Sequence, residues 1–441
     1  MTGTNLIPGI RNNFQNIFHA KQNRYQCIDG IRAIAVIYIV IFHLFFLSAL
    51  YIPLTTYEYA AAQKYFSVIV NGDLAVDMFF TISGFLIANI LLSEHAKFGR
   101  INISRFYIRR YARLMPVYFV AMMVILIYQI INRAPLLGNP AWIWTNFLYI
   151  NNYAPPKNMF MAWTWSYAVE EQFYLLFPLT LLLIIKMKRC LPPLAAIAAL
   201  FVLAIAIIIQ VAVQNNISLP IPTSPFLGQE SSRKWLHWFE YIYTPSYTRF
   251  GPIVCGFAVA YLHQYHHNKI ERLFKYSSFN ILLFVITIMI MLFIYSTPMH
   301  ADVSFSWSES GSLAYIALYK NLYGMAIAII ILLCLYPSHF IAKLINAALS
   351  ARAWYPIAQL SYCVSIFHPF IIILVYPHFY SISTPPTISL VILVSALVFA
   401  ICFCIAVLTY ILIERPIIDS CAGFFKRRER EGQQLPTISA S

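Results

Sequence analysis

The chain has 441 residues, of which 60% are hydrophobic and only 10% are charged, and its mean hydropathy is +0.70. Soluble domains carry about 25% charged residues, so this composition excludes an ordinary soluble protein and indicates a membrane protein. A formal net charge of +14 would suggest nucleic acid as the partner of a soluble chain, but basic loops held on the cytoplasmic side of a membrane explain it better.

Residues 1–30 are expected to form a cytoplasmic N-terminal segment. The first 27 residues contain no continuous apolar stretch, so we expect no cleaved signal peptide and expect the first spanning helix to direct insertion. The eight cysteines include no CxxC pair, and none lies in a segment placed outside the membrane. No disulfide framework is therefore predicted.

The apolar segments predict an all-α polytopic membrane protein with about ten transmembrane helices, because about 20 apolar residues cross a bilayer. The predicted spans are residues 31–51, 73–92, 114–132, 164–185, 193–213, 250–265, 279–296, 315–336, 356–376 and 388–413. The sixth carries Gly251, Pro252 and Gly256, which favour a broken or tilted helix. No internal repeat is visible.

Lysine and arginine concentrate in alternate loops, which predicts that both termini are cytoplasmic. Residues 31–416 would form the transmembrane domain and residues 417–441 a basic, disordered cytoplasmic tail. Two long outer loops, 133–163 and 214–249, are rich in aromatic residues. Their tryptophans, together with Trp165, fit an interfacial belt or a platform that stacks sugar rings equally well. They are Trp142, Trp144, Trp163, Trp235 and Trp238.

Several titratable side chains lie inside apolar spans. Burying such a group in a membrane costs free energy, so its presence usually marks a functional site. Arg32 and His43 are eleven residues apart, so they share one helix face about 16 Å apart along its axis. Glu170 and Glu171 enter an antiparallel span and reach nearly the same depth as His43, and so does His368. We expect a histidine and a carboxylate to meet somewhat above the membrane midplane.

Arginines line the cytoplasmic end of the same spans. Arg110 and Arg113 lie one turn apart near the level of Arg32, and guanidinium groups at this spacing suit a ligand that carries phosphates. Asp73 and Asp77 enter the second span on one face, but the dipole of the helix N-terminus is the simplest explanation for carboxylates there.

Each of these features has a simpler structural explanation. A single membrane histidine can hydrogen-bond a neighbouring helix, and arginines beside a span can be topology markers. At most one residue of the pair Glu170 and Glu171 is expected to be catalytic. The other histidines are spaced too irregularly to predict a metal site. The shared depth of several groups is what favours a functional site.

Five sequence blocks and a closing motif occur in order: IDGIRAIAVIYIVIFH (28–43), MFFTISGFLI (78–87), FYIRRYARLMPVYF (106–119), TWSYAVEEQFYLLFPL (164–179), LSYCVSIFHPF (360–370) and IERP (413–416). Together they resemble the acyltransferase-3 family of integral membrane acyltransferases, which modify cell-surface glycans and in some cases antibiotics. The resemblance implies about ten spanning helices and an acyl-CoA donor used from the cytosolic side.

The resemblance also implies roles for particular residues. The family's Arg-x10-His motif falls on Arg32 and His43, its RxxR motif on Arg110 and Arg113, and its acidic motif on Glu170-Glu171. The chain departs from the family at Tyr167-Ala168 and Cys363-Val364, which concerns acceptor contacts more than chemistry. Many relatives carry a C-terminal SGNH-type esterase domain, which is expected to be absent here because only about 25 residues follow IERP.

The expected function is transfer of an acyl group, most simply acetyl, from acyl-CoA to a hydroxyl of a surface polysaccharide such as lipopolysaccharide O-antigen, in the bacterial inner membrane. His43 would act as general base or through an acyl-imidazole, with Glu170 or Glu171 orienting it, while the three arginines bind acyl-CoA. Further candidates for acceptor contacts or support are Asp29, Asp77, Trp165, Ser361 and His368.

No tightly bound cofactor, metal or nucleic acid is expected, and membrane lipid is an expected partner. Two other functions stay open at this point. A transporter or flippase with an intramembrane proton relay would show internal repeats and discontinuous helices, and a scaffold or receptor would tolerate substitution of His43. The acceptor, the acyl chain length and the oligomeric state are not specified by the sequence.

Overall fold

The computed structural model describes residues 6–18, 25–63, 66–133, 137–187, 190–297 and 307–434, and these residues are almost entirely helical. The α-helices, in chain order, are α1 Leu6–Phe18, α2 Gln26–Ser48, α3 Leu54–Ala62, α4 Ser67–Val70, α5 Ala75–Phe98, α6 Ile103–Asn132, α7 Ile143–Phe147, α8 Trp165–Lys186, α9 Pro193–Gln214, α10 Gln229–Trp238, α11 Ser246–Tyr265, α12 His267–Phe274, α13 Ser277–Ser296, α14 Glu309–Leu335, α15 Phe340–Leu349, α16 Trp354–Val375, α17 Ile388–Thr409 and α18 Arg415–Gln434.

Nine helices in the described part of the chain are long and apolar enough to cross a membrane. They are α2, α5, α6, α8, α9, α13, α14, α16 and α17. Each corresponds to a predicted span, so the prediction of an all-α polytopic membrane protein is confirmed. Short helices such as α3, α7 and α10 occupy the connections, because they are too short to span a bilayer.

The remaining predicted span corresponds to helix α11. Of the two expectations for it, a break or a tilt at Gly251 and Pro252, the break was wrong. The helix is continuous over 20 residues with Pro252 inside it. More than half of its residues are buried, because it packs against α5, α9 and α14. Arg249 and His263 lower its hydropathy, and both are buried by protein.

Helices α5 and α11 approach each other closely through glycines. A Cβ atom on Gly84 would collide with the carbonyl oxygen of Ile253, and one on Gly256 would collide with the carbonyl oxygen of Thr81. Small residues at both crossing points let the two backbones touch, as is common between membrane helices. This contact fixes α5, which carries one wall of the candidate site.

Helix α6 begins well before its apolar part. The side chain of Asn102 caps the helix by accepting a hydrogen bond from the backbone N–H of Arg105 at 3.0 Å. Arg110 and Arg113 therefore lie inside a 30-residue helix and not at the start of a span beginning near residue 114. Their guanidinium groups are held on a rigid element.

Residues 415–434 also differ from expectation, since they form helix α18 where a disordered tail was predicted. The ring of Phe425 lies 5.3 Å from the guanidinium groups of both Arg105 and Arg109, which explains why this segment docks on α6. The last part of the predicted tail, residues 435–441, and residues 1–5 and 19–24 of the N-terminal segment lie outside the described residues.

Candidate functional site

A cavity of about 520 Å³ lies among α2, α5, α6, α8 and α16. It collects most of the candidates named from the sequence. Those that line it are Arg32, His43, Arg110, Arg113, Trp165, Glu170, Ser361 and His368. Three candidates, Glu171, Asp29 and Asp77, do not line it.

The two histidines of the cavity touch. Nε2 of His368 lies 3.1 Å from Nδ1 of His43, so α2 and α16 meet at the depth that residue counting predicts. Nδ1 of His43 also lies 3.0 Å from the carbonyl oxygen of Ile39, and Nδ1 of His368 lies 3.1 Å from that of Val364.

These contacts determine which ring nitrogens carry hydrogen in the neutral pair. A carbonyl oxygen only accepts hydrogen bonds, so Nδ1 of each histidine is the donor. Nε2 of His368 then keeps a lone pair, and the single N–H at Nδ1 of His43 is shared between this lone pair and the carbonyl oxygen of Ile39. Nε2 of His43 is left with its own lone pair, and no described residue hydrogen-bonds to it. The arrangement presents one basic nitrogen to the cavity.

The carboxylate that faces the cavity is Glu170. Its Oε1 accepts a hydrogen bond from Ser83 Oγ at 3.0 Å, and its Oε2 accepts one from Tyr174 at 2.9 Å. Ser83 and Tyr174 are themselves in contact at 3.1 Å. This closed triangle of α5 and α8 side chains holds the carboxylate in one orientation.

The expected contact between His43 and a glutamate is absent among the described residues, which contain no hydrogen bond or ion pair between His43 and either Glu170 or Glu171. Equal depth fixes position along a helix axis but not the direction in which a side chain points. Glu170 turns toward Ser83 of α5, and His368 occupies the place beside His43. Asp73 is a further acidic residue that lines the cavity.

Glu171 is buried beside the cavity and away from its wall. It is 6% exposed, and its Oε2 has no hydrogen-bond partner in the described part of the chain. The structure thus separates the acidic pair, with Glu170 facing the cavity and Glu171 facing the protein interior.

Three arginines form the other end of the cavity. Arg32 donates a hydrogen bond to Ser361 Oγ at 3.2 Å, and the guanidinium of Arg110 lies 3.7 Å from the ring centre of Tyr174. No described carboxylate forms an ion pair with Arg32, Arg110 or Arg113. Three guanidinium groups therefore face the cavity without a direct ion pair, although Glu170 lines the same cavity, and such groups suit the binding of phosphates.

A second cluster of charged side chains lies beside the cavity, and each of its two cations has a carboxylate partner. Asp77 contacts the guanidinium of Arg249 at 3.1 Å, and the ammonium of Lys320 lies 2.6 Å from Asp73 and 3.5 Å from Asp77. All four side chains are buried. The ring of Trp165 lies 5.2 Å from the Arg249 guanidinium, and of the four charged residues only Asp73 lines the described cavity. Asp73 and Asp77 thus form ion pairs with other helices, in addition to their interaction with the dipole of their own helix.

Sequence reasoning missed several residues of these clusters. No functional role was predicted for Lys320 or Arg249, although Lys320 interrupts an apolar run in the same way as His43 does. Tyr167, one of the departures from the family pattern, lines the cavity and its hydroxyl lies 2.6 Å from that of Ser365. Nothing in the sequence alone marks Ser83 or Ser365, because a single serine in a membrane helix is common.

Comparison with known proteins gives the family. Residues 25–409 match the acyltransferase domain of the acyltransferase-3 family. Peptidoglycan O-acetyltransferase OatA of Listeria monocytogenes is 33% identical over 176 residues, which cover 36% of this chain and 24% of that protein. O-acetyltransferase OatA of Staphylococcus aureus is 34% identical over 170 residues, which cover 35% of this chain and 24% of that protein.

The alignments with these curated relatives thus cover about a quarter of each relative's length. No solved structure is significantly similar to the chain. The match to the family, in contrast, extends over most of the chain and includes every helix that lines the cavity. On this ground the chain belongs to the acyltransferase-3 family of membrane acyltransferases.

Proposed function

We propose that this protein is a bacterial inner-membrane O-acetyltransferase that moves an acetyl group from cytosolic acetyl-CoA to a hydroxyl of a surface polysaccharide, such as the O-antigen of lipopolysaccharide. The observation that carries the proposal is one cavity with unpaired arginines at one end and a histidine with a free lone pair farther along. The names of the two relatives support acetyl as the acyl group and a glycan as the acceptor.

The arginines would hold the donor. Arg32 lies about 16 Å from His43 along α2, a distance that the pantetheine arm of CoA can bridge. The phosphates of CoA would sit among the guanidinium groups of Arg32, Arg110 and Arg113, and the thioester would reach the histidine pair. On this proposal the arginine end of the cavity, and with it both chain termini, would face the cytosol.

His43 would act as the general base. Its Nε2 takes the proton of the acceptor hydroxyl while the hydroxyl oxygen attacks the thioester carbonyl. The new C–O bond forms, the C–S bond breaks, and the imidazolium returns the proton to the CoA thiolate. His368 would fix the tautomer of His43, and the Glu170 carboxylate, held by Ser83 and Tyr174, would stabilise positive charge that develops in the cavity.

The direct test compares surface glycans of cells with and without the protein by mass spectrometry, together with transfer from radiolabelled acetyl-CoA in isolated membranes. We expect the cells that lack the protein to lose one acetyl group per glycan repeat, and their membranes to lose the label transfer. Glycans of identical mass in both cell types, with equal label transfer, would contradict the proposal.

A further inference from the structure

A second cavity of about 680 Å³ adjoins the first at its end remote from the arginines. Five residues form a wall common to both cavities: Lys157, Pro225, Phe226, Ser232 and Leu236. The shared wall lies near Phe46, which is 14 residues after Arg32 on α2 and thus about 21 Å farther along that helix. The arginines and the shared wall therefore lie at opposite ends of the site.

A continuous series of aromatic rings leads from the histidine pair to this shared wall. The ring of Phe46 lies 6.4 Å from that of His43, 6.0 Å from that of Phe226 and 5.7 Å from that of Trp235. Trp235 stacks in turn on Phe239 at 4.6 Å. Aromatic faces at this spacing offer successive apolar surfaces along one path.

Polar groups stand beside the aromatic rings. Lys157 and Ser232 line both cavities, and Arg233, His237 and Glu240 line the second one. Helix α10 supplies most of these side chains, and at 10 residues it is too short to span a membrane. A path that alternates flat apolar faces with hydrogen-bonding groups of both signs suits a sugar chain, whose rings have apolar C–H faces and polar edges.

We infer that the end of the first cavity where it meets the second, lined by Lys157, Phe226, Ser232 and Trp235, is the acceptor subsite, and that it binds sugar rings of a glycan by stacking on Trp235 and Phe226. The inference rests on the proposed function and deepens it. Acceptor and donor enter from opposite ends of the protein, and the acceptor hydroxyl reaches Nε2 of His43 along the Phe46 ring.

The experiment measures acetyl transfer by the full-length protein in lipid nanodiscs, with acetyl-CoA as donor. The acceptors are surface polysaccharide from the producing cells, stripped of acetyl groups by mild base, and de-acetylated peptidoglycan in a parallel arm. For Trp235→Ala we expect the acceptor KM to rise by about tenfold, as loss of one stacked ring predicts, with no change in the KM for acetyl-CoA. The acceptor that shows this rise is the natural source of the glycan.

Two further variants keep the test decisive. Trp235→Phe keeps an aromatic face and should restore most of the acceptor affinity, which a general folding defect would not allow. Trp144→Ala removes an outer-loop tryptophan that is 49% exposed and lines neither cavity, so it should change neither KM.

Equal acceptor KM values for Trp235→Ala and Trp144→Ala, with acetyl-CoA still consumed, would overturn the acceptor subsite while leaving the proposed function standing. A wild-type protein that consumes no acetyl-CoA with either glycan would instead overturn the proposed function, and the subsite with it.

Discussion

Two groups of charged side chains lie in or beside the cavity, and they differ in whether the cations have carboxylate partners. In the first group, Arg249 and Lys320 face Asp77 and Asp73, two cations against two carboxylates, and every member is buried. Facing the cavity, Arg32, Arg110 and Arg113 form no ion pair in the described part of the structure.

The difference teaches how to interpret intramembrane charge in this protein. In the first group, which we call the closed cluster, the cations and carboxylates neutralise one another, so the cluster holds helices together. In the second group, which we call the open cluster, the arginines lack carboxylate partners, so their positive charge is available to a bound ligand. We therefore assign the first cluster to the stability of the bundle and the second to the donor substrate.

Breaking the closed cluster should give the largest effect on stability. Asp77→Ala leaves Arg249 and part of the Lys320 charge uncompensated, and removal of one member of a buried ion pair costs about 3–5 kcal/mol of unfolding free energy. The measurement is unfolding of the detergent-solubilised protein by heat or by SDS titration.

Glu230→Ala is the matched control, because Glu230 pairs with Lys234 on the exposed face of α10 and exposed ion pairs contribute little. If Asp77→Ala and Glu230→Ala unfold at the same temperature, the closed cluster has no structural role.

Removing a cation from the open cluster should change substrate binding instead. Arg110→Ala would lose charge-assisted hydrogen bonds to the donor phosphates, which contribute about 1.5–3 kcal/mol, so the KM for acetyl-CoA should rise roughly ten- to hundredfold. The unfolding temperature should stay near that of the wild type, since Arg110 has no ion pair to lose.

The control for that variant is Arg109→Ala, because Arg109 is the neighbouring residue, is exposed, and lies over the ring of Phe425 without lining the cavity. A similar KM for acetyl-CoA in both variants would show that the RxxR arginines do not bind the donor.

A smaller effect on activity is expected when one of the hydrogen bonds that orient Glu170 is removed. Tyr174→Phe removes one hydrogen bond to the carboxylate and keeps the ring beneath Arg110, so kcat should fall by about tenfold, in line with about 1.5 kcal/mol for a hydrogen bond to a charged group. Steady-state kinetics with saturating acetyl-CoA measures it.

Tyr107→Phe serves as comparison, since the hydroxyl of Tyr107 bonds only the exposed carbonyl of Leu175. An unchanged kcat in Tyr174→Phe would show that the orientation of Glu170 does not matter to transfer.

The fold was largely predictable from the sequence because crossing a bilayer requires long apolar helices, and hydropathy detects these directly. Helix α11 shows the limit of that criterion. Protein buries most of it, including Arg249 and Gly251, so its composition differs from that of a lipid-facing helix. The early start of α6 follows from a cap at Asn102, which lies outside the apolar segment.

The sequence predicted the depth of the site residues along their helices but not the direction in which their side chains point. Residue counting along the spans placed His43 and His368 at one level, and they touch. The same counting placed Glu170 there, but the rotation of α8 aims its carboxylate at Ser83. Lys320 was missed because a cation near a helix end is usually counted for topology, and only the contact with Asp73 shows its pairing.

The central claim is that Nε2 of His43 is the base that the cavity presents to the acceptor hydroxyl. The measurement is acetyl transfer from acetyl-CoA to de-acetylated surface polysaccharide by His43→Ala, with His95→Ala as control because His95 lies on α5 and does not line the cavity. We predict a loss of about a thousandfold in His43→Ala. The same variant should insert and unfold like the wild type, and His95→Ala should keep full activity. Undiminished transfer by His43→Ala would contradict the account.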